Sequence, residues 1–322
     1  MQNLIATLNP AGALIVPPLL NAVDILNAQP ILVVMPDDTS LGKFHKVFAG
    51  MLGTLEEKPT VAKGEEEGFA GAEKVITTEK LFTKLEEDND NQVDANEFLK
   101  ARLMDILIGD WDRHIGQWNW AGYSEGKKWI YKPIPTDRDQ AFCRYDGIIP
   151  YEAAQYIPQI EGCNKSYPWI ADLTWSGIFL DRKLLSSVEK PVYDSLANFI
   201  ISRITDSVIS EAVHKFPQPM YEREGAKLEK VIRARRDKLA NAADDFYKHL
   251  ARYVDIRLSH SDEYAEITRL NDKTVDVTVY KRDKETGDKK NQPIFHRIFD
   301  NDETEEMRLY LFDGDDHIIV RG

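Results

Sequence analysis

Several features that would assign a function directly are missing from this sequence. Its two cysteines, Cys143 and Cys163, lack metal-type spacing, so two free thiols are favoured over a disulfide, although an oxidised pair stays open. No apolar run reaches the length of a bilayer-spanning helix. Residues 1–28 are apolar but lack a basic start and contain three prolines, which is atypical of a signal peptide.

Well-known nucleotide and hydrolase motifs are missing too. There is no glycine-rich loop of the Walker or dinucleotide type, no G-x-S-x-G elbow and no H-E-x-x-H pair. Acids outnumber bases by 54 to 41, and the formal charge of -13 argues against a basic nucleic-acid-binding surface. The length of 322 residues, with 43% hydrophobic residues, predicts a globular protein of one or two domains.

The apolar periodicity predicts a mixed α+β protein. Helices are expected at residues 11–26, 98–108, 184–216 and 225–253, the second capped by Asp94 and Glu97. Short strands are expected at residues 31–35, in a hairpin at 43–55, and in a C-terminal β region. The strands of that region are predicted at residues 264–270, 274–282, 294–299, 308–312 and 317–320.

An acidic hairpin is the part of the sequence that most resembles a chemical site. The stretch D-I-L-I-G-D-W-D-R-H-I-G-Q-W-N-W is followed by W-I-Y-K-P-I-P-T-D-R-D-Q-A-F. Pairing of residues 118–120 with 129–134 would bring two acidic edges to the same end of the hairpin. Like charges held this close favour a shared divalent cation. The acids are Asp110, Asp112, Asp137 and Asp139.

This arrangement is typical of phosphoryl transfer, which needs one carboxylate near the attacking hydroxyl and others that hold magnesium. Asp112 would be the first carboxylate. Gln117 lies five residues later, where kinase-type loops usually place a metal-binding Asn, and Asp137 and Asp139 would be the magnesium ligands. The sequence therefore favours a metal-dependent phosphotransfer site.

Simpler interpretations stay open for each of these residues. Arg113 and Arg138 could hold together a solvated acidic turn that has no ligand. His114 is a candidate base or ligand, although a hydrogen-bond partner for Asp112 is favoured. Lys132 is a candidate phosphate contact, or an ordinary strand lysine.

Two further acidic segments stand outside the hairpin. Residues 86–97 partly fit a calcium loop, but the loop starts with Glu86 and has Asn91 in place of the turn glycine, so Ca²⁺ is not favoured there. The turn Asp313-Gly314-Asp315-Asp316-His317 is interpreted as a hairpin tip.

The hairpin segment closely resembles part of large cell-envelope proteins of Bacteroidetes, often labelled metallophosphoesterase or surface antigen. The likeness extends through A-R-R-D-K-L to E-M-R-L-Y-L-F-D-G-D-D-H. This resemblance implies a location in the cell envelope or periplasm and a link to a phosphoesterase domain and an outer-membrane barrel. If Met1 is the natural start, the expected location is the cytoplasm.

The same segment is similar to the atypical kinase superfamily, including CotH-type, HipA-type and type II phosphatidylinositol 4-kinases. The resemblance implies a kinase-like fold with a reduced N-terminal lobe at residues 1–60 and a catalytic and helical C-terminal lobe at residues 61–254. The predicted strands after it indicate a small C-terminal β domain at residues 255–322. It assigns Asp112 as catalytic acid/base, with Gln117 on the metal side in place of the family's Asn. Glu57, in Glu57-Lys58-Pro59, would lie at the hinge beside the cofactor.

The resemblance implies ATP with Mg²⁺ or Mn²⁺ as cofactors and an unknown protein or envelope-associated phosphate acceptor. The family's phosphate-covering loop and strand lysine are not found ahead of the first helix, so a fragment or an inactive kinase fold stays an alternative. G-D-W-D-R-H also resembles metallophosphoesterase elements, one residue short in spacing. A second alternative is therefore a metal-dependent phosphoesterase, and a third is a non-enzymatic connector module.

Overall fold

A computed structural model describes residues 9, 11–61, 68–145, 152, 153, 156, 157, 160 and 162–322. It confirms the α+β class. Eleven helices are present in this part of the chain: α1 Gly12–Ala22, α2 His45–Phe48, α3 Thr78–Glu87, α4 Ala95–Ile108, α5 Ile170–Leu173, α6 Ile178–Leu184, α7 Lys190–Arg203, α8 Asp206–Val213, α9 Gln218–Met220, α10 Ala226–Arg236 and α11 Leu239–Ala251. Short 3₁₀ turns lie at Thr39–Phe44, Phe69–Gly71, Ile115–Gln117 and Trp175–Gly177, and a π turn lies at Tyr221–Gly225.

The described strands form four sheets. They are β1 Ile31–Val34, β2 Leu52–Leu55, β3 Lys74–Thr77, β4 Asn91–Val93, β5 Trp118–Glu125, β6 Lys128–Pro135, β7 Tyr253–Arg257, β8 Glu263–Arg269, β9 Thr274–Arg282, β10 Lys289–Asp300, β11 Glu306–Tyr310 and β12 His317–Arg321. The sheet orders are β1-β2, β3-β5-β6-β4, β10-β9-β8-β12 and β11-β7. None of the described helices has both the length and the apolar character needed to cross a bilayer.

Helix α4 lies at the centre of the larger hydrophobic core. Every residue from Phe98 to Ile108 is buried. The Asp94 side chain caps the start of the helix by accepting a hydrogen bond from the Glu97 N–H at 3.1 Å, as predicted. The other half of the predicted capping box is not formed, because the Asp94 N–H donates to the Tyr131 carbonyl and the Glu97 side chain pairs with Lys100. Helices α7 and α11 pack on α4, and α1 packs against α8 in the same core.

The predicted acidic hairpin is confirmed, with longer strands and a tighter turn than expected. Strand β5 pairs antiparallel with β6 from Trp118↔Pro135 to Glu125↔Lys128. One face of this sheet packs on α4, with the Trp118 and Phe98 ring centroids 5.1 Å apart. Because Trp118 and Pro135 are partners at the end of the ladder, residues 110–117 and 136–139 leave the sheet side by side.

Several predicted boundaries are wrong. Residues 43–55 do not form a hairpin; β1 pairs with β2, and α2 lies between them. The predicted helix at 184–216 is interrupted near residues 185–189 and 204–205, and the one at 225–253 is interrupted near 237–238. Tyr253, the last residue of the second predicted helix, belongs instead to strand β7. Strand β7 pairs in parallel with β11, which lies far along the chain.

The C-terminal strands form a second, smaller hydrophobic core. Its buried members include Val254, Ala265, Val277 and Phe299. All five C-terminal strands predicted from the sequence are present; β9 has the predicted bounds, and the other four differ from prediction at one or both ends. The division of the chain into three domains stays a prediction, and parts of its first two ranges lie outside the described residues.

Candidate functional site

The site begins where α4 ends. Gly109 adopts a left-handed conformation with φ 71°, and the Asp110 N–H donates to the Asp105 carbonyl at 3.0 Å. This geometry is a common helix terminus and favours glycine. A Cβ at Gly109 would also come within 3.0 Å of the Cys163 Cβ. The glycine therefore turns the chain sharply from the buried helix into the loop at residues 110–114.

A buried frame of three arginines and three aspartates lies beneath this loop. Arg102 forms a bidentate pair with Asp181 at 2.7 and 2.9 Å and also contacts Asp105 at 2.8 Å. Arg138 contacts both Asp105 and Asp110. The three positive and three negative charges balance, so the frame can be buried without an external ion. Its members are Arg102, Asp105, Asp110, Arg113, Arg138 and Asp181.

Asp110 thus differs from the sequence expectation, which placed it among acids sharing a cation. The Asp110 side chain is fully buried and lies 2.8 Å from Arg138 Nη1 and 3.6 Å from Arg113 Nη1. Burial raises the pKa of Asp110, and the two guanidinium groups oppose that rise. Asp110 is therefore a buried member of the supporting frame, and its Oδ2 is paired with two arginines.

Arg113 joins the two loops that carry the candidate ligands. Its guanidinium donates to the Thr136 carbonyl at 2.8 Å and to the Gln117 carbonyl at 2.9 Å. The Thr136 N–H in turn donates to the Gln117 carbonyl at 3.0 Å. One buried side chain therefore fixes the spacing between the loop at 110–117 and the loop at 136–139.

The structure brings Gln117 and Asp137 into direct contact. Gln117 Nε2 donates to Asp137 Oδ2 at 3.0 Å. Asp137 is exposed and has φ 54°, a left-handed conformation that aspartate adopts only at some cost. The contact and the strained backbone place one carboxylate at the meeting point of the two loops.

Acidic side chains surround Asp137. Partial burial and then the Asp137 carboxylate raise the pKa of Asp139 above its usual range, with smaller effects from Asp110 and Asp112. Partial burial and Asp137 likewise raise the pKa of Glu56, while Arg138 opposes that rise. A local excess of negative charge of this kind favours a bound cation.

Asp112 and His114 lie on the outer side of the first loop. His114 Nδ1 accepts a hydrogen bond from the Gly116 N–H at 3.0 Å, and Nε2 lies 3.9 Å from Asp112 Oδ1. Since Nδ1 accepts, the neutral ring carries its proton on Nε2, facing Asp112. At this distance the two side chains are neighbours without a hydrogen bond between them, so the hydrogen-bonded pair favoured from the sequence is not formed. The Asp112 side chain is 28% exposed, so a substrate can reach it.

Glu57 and Lys132 lie outside this contact set. Glu57 lines a groove of about 330 Å³ together with Asn27, Phe69 and other residues. Asn27 also lines a small cavity that includes Glu56 and Arg138, so the groove adjoins the acidic cluster. Lys132 lies on the sheet face with its Nζ 5.7 Å from the Tyr123 ring centroid.

Glu56 is the residue that sequence reasoning missed. The sequence favours Glu57, one residue further along, because Glu57 begins the hinge-like Glu57-Lys58-Pro59 segment. Only the packing of the chain after β2 shows which of the two glutamates is held near Asp137. No signal in the sequence alone separates them.

A metal ion at this site would need ligands from water or phosphate in addition to the protein side chains. Among the described residues, no three His, Cys, Asp or Glu side chains form a group able to hold a metal ion. The Gln117 amide and the Asp137 carboxylate leave most coordination positions to water or phosphate oxygens. That is the usual situation for magnesium beside a nucleotide.

The segment at residues 86–97 does not have the geometry of a calcium loop. Asp90 lies 2.5 Å from Lys281 Nζ and Glu86 lies 2.6 Å from Lys183 Nζ, so lysines neutralise two of the proposed ligands. Asp94 caps α4 instead. The expectation that Ca²⁺ is not favoured at the loop positions stays a prediction, with these contacts in its support.

Comparisons with known proteins give distant likenesses only. No protein-family model matches the chain, and no curated protein matches it. It is similar to the crystal structure of the Helicobacter pylori proinflammatory kinase CtkA, with 13% identity over 73% of this chain and 82% of that one, at a TM-score of 0.42. It is also similar to a chain of the Shewanella oneidensis MR-1 toxin–antitoxin complex of HipA, HipB and operator DNA, with 10% identity and a TM-score of 0.40.

The second likeness covers 72% of this chain and 57% of the other, so the protein spans little more than half of that relative's length. The resemblance to Bacteroidetes envelope proteins and the link to a phosphoesterase stay predictions.

Proposed function

We propose that the protein is a kinase-like phosphotransferase that binds ATP together with Mg²⁺ or Mn²⁺ at Asp137. The observation that carries this proposal is the Gln117–Asp137 contact at 3.0 Å, between loops that buried Arg113 ties together. Kinase-type sites use the same parts: an amide and a carboxylate from two neighbouring loops around magnesium.

Each candidate residue has a distinct proposed role. Asp137 and Asp139 hold the cation, and Gln117 adds its amide oxygen once the side chain turns. Asp112 accepts the proton of the acceptor hydroxyl, and His114 lies beside Asp112. A divalent cation, when bound, supplies positive charge that offsets the charge of the transferred phosphoryl group.

The nucleotide is proposed to lie in the groove beside Glu57. That groove, of about 330 Å³, has Phe69 in its wall and adjoins the cavity next to Arg138. An aromatic and amide-rich groove suits a base and a sugar. Lys132 is proposed to contact the phosphates from the neighbouring sheet face.

The acidic cluster makes the dependence of ATP binding on a divalent cation a strict test of the proposed site. Glu56, Asp112, Asp137 and Asp139 are acidic, and the ATP phosphates are anionic, so the nucleotide and this cluster repel each other without cations. The protein should therefore bind ATP only when Mg²⁺ or Mn²⁺ is present.

The test is calorimetric titration and thermal unfolding of the full chain with ATP. Wild type should bind ATP only with Mg²⁺ or Mn²⁺, and a ligand at about 100 times its Kd adds about 2.7 kcal/mol of stability. Asp137→Ala should lose this response, and Asp313→Ala, at a side chain 92% exposed on a distant turn, should keep it. Binding without metal, or unchanged binding in Asp137→Ala, would remove the proposed site.

The acceptor is proposed to be a protein or an envelope-associated molecule that carries a hydroxyl group. A phosphoesterase with two metals is less well supported, since such centres use many ligands and the described residues contain no such group.

A further inference from the structure

Two acidic segments that the proposed function does not use meet at one residue, Glu263, whose carboxyl group is buried. Glu263, the first residue of β8, is 0% exposed. Asn89, in the turn between α3 and β4, donates to its carboxyl group, and Asp316, in the turn before β12, accepts a hydrogen bond from its backbone N–H. Sequence residues 86–97 and 313–317 therefore converge in space.

The hydrogen bonds to Glu263 are uneven. Oε1 accepts from Ser259 Oγ at 2.5 Å, from the Ser259 N–H at 3.2 Å and from Asn89 Nδ2 at 3.0 Å. Oε2 has no hydrogen-bond partner among the described residues, and neither has the buried Asn89 Oδ1. A buried carboxylate oxygen without a partner is costly, so either a bound cation or a proton shared with Asp316 is expected beside it.

No side chain of the described residues supplies that positive charge. Lys281 is the cross-strand partner of Glu263, but its Nζ lies 2.5 Å from Asp90 and 3.5 Å from Asp88. Within 4 Å, neither Glu263 nor Asp316 forms an ion pair in the described part of the chain. Asp316 adds a second negative charge, since its Oδ1 accepts the Glu263 N–H at 3.0 Å.

We infer that Glu263, Asp316 and the Asn89 amide oxygen form a binding site for one hard divalent cation, with Ca²⁺ as the best fit. Two carboxylates and one amide oxygen are typical calcium ligands at about 2.3–2.6 Å, and the half-exposed Asp316 leaves room for water on the outer side. This site is separate from the Asp137 cluster. It would tie the turn at Asn89, on the larger core, to the C-terminal sheet.

A shared proton is the competing way to bring the two carboxyl groups together. Burial, followed by the neighbouring Asp316, raises the pKa of Glu263 to about 7, against the hydrogen bonds from Ser259 and Asn89. A bound cation would displace that proton.

The experiment is calorimetric titration of CaCl₂ into the full chain, without nucleotide, at about pH 8. One site is expected, in the range of about 10⁻⁴–10⁻³ M because only three protein ligands contribute. The site should persist in Asp137→Asn, which separates it from the proposed phosphotransfer site. It should disappear in Glu263→Gln and remain in Asp313→Asn, the matched change on the same turn as Asp316.

Glu263→Gln should fold, because the amide keeps the side chain's shape and removes an unpaired buried charge. If it does not fold, Asp316→Asn gives the same answer, and a roughly tenfold or greater loss of calcium affinity is expected. The inference is overturned if wild type binds no Ca²⁺ at about ten times the expected Kd, which would leave a shared proton, or if both variants bind Ca²⁺ like wild type.

Discussion

Arg113 gives the most demanding test of the buried frame. Its side chain is fully buried, lies 3.4 Å from Asp105 and 3.6 Å from Asp110, and donates to two loop carbonyls. Arg113→Met keeps an unbranched chain of similar length but leaves three buried aspartates with two arginines. Removing one partner from a buried ion pair costs about 3–5 kcal/mol.

Urea unfolding at about pH 7 measures this loss. With m values of about 1–3 kcal/mol/M, a loss of this size moves the midpoint by about 1 M or more. The control is Arg144→Met, because Arg144 pairs with Glu224 at the surface, where an ion pair contributes about 0–1 kcal/mol.

A second variant tests the cause of the loss. Adding Asp110→Asn to Arg113→Met restores the charge balance, and the amide oxygen that replaces the carboxylate can still accept a hydrogen bond from Arg138. The double variant should therefore recover part of the lost stability. A loss below about 1 kcal/mol for Arg113→Met, or no recovery in the double variant, would refute the frame as described.

Three further predictions concern Gly109, Glu263 and Asp139. Gly109→Ala should destabilise by about 1–2 kcal/mol for the left-handed φ alone, with more from the contact with Cys163, measured by urea unfolding. Without divalent cations, stability should fall as pH rises from about 4.5 to about 7, since folded Glu263 holds a proton that the unfolded chain releases; Glu263→Gln should flatten this slope. Mg²⁺-dependent ATP binding should weaken as the pH falls, because protonated Asp139 no longer holds the cation. Since the pKa of Asp139 is raised, this loss should occur at a higher pH than for an ordinary aspartate, and calorimetry across pH measures it.

The hairpin and its acidic ends were predictable because their signals are local. Alternating apolar residues and a polar turn define β5 and β6, and the ends of an antiparallel pair must meet. The same logic failed at residues 43–55, where Phe44, Val47 and Phe48 recur at helical spacing. All three side chains are exposed, so this short helix does not bury an apolar face in the way that sequence periodicity assumes.

The rest of the site depends on contacts between distant parts of the chain. Asp110 and Asp112 are two residues apart and chemically identical, yet only Asp110 meets the arginines. Arg102 reaches Asp181 across 79 positions, and no periodic pattern predicts that pairing. Strand β7 was missed for the same reason, since it exists by pairing with β11.

The acidic turns at residues 86–97 and 313–317 show a related effect. The sequence suggests a separate interpretation for each turn, a poorly fitting calcium loop at residues 86–97 and a hairpin tip at residues 313–317. Their meeting at Glu263 follows from how the C-terminal sheet packs beside α3 and β4. The residue that joins them carries no motif of its own.

The most direct test of the phosphotransfer account is a crystal structure with Mn²⁺ and a non-hydrolysable ATP analogue, read by the anomalous signal of manganese. A manganese peak is expected within about 2.2 Å of an Asp137 carboxylate oxygen, beside Gln117 and in contact with the phosphates. A nucleotide bound elsewhere, or a manganese peak far from both loops, would contradict it.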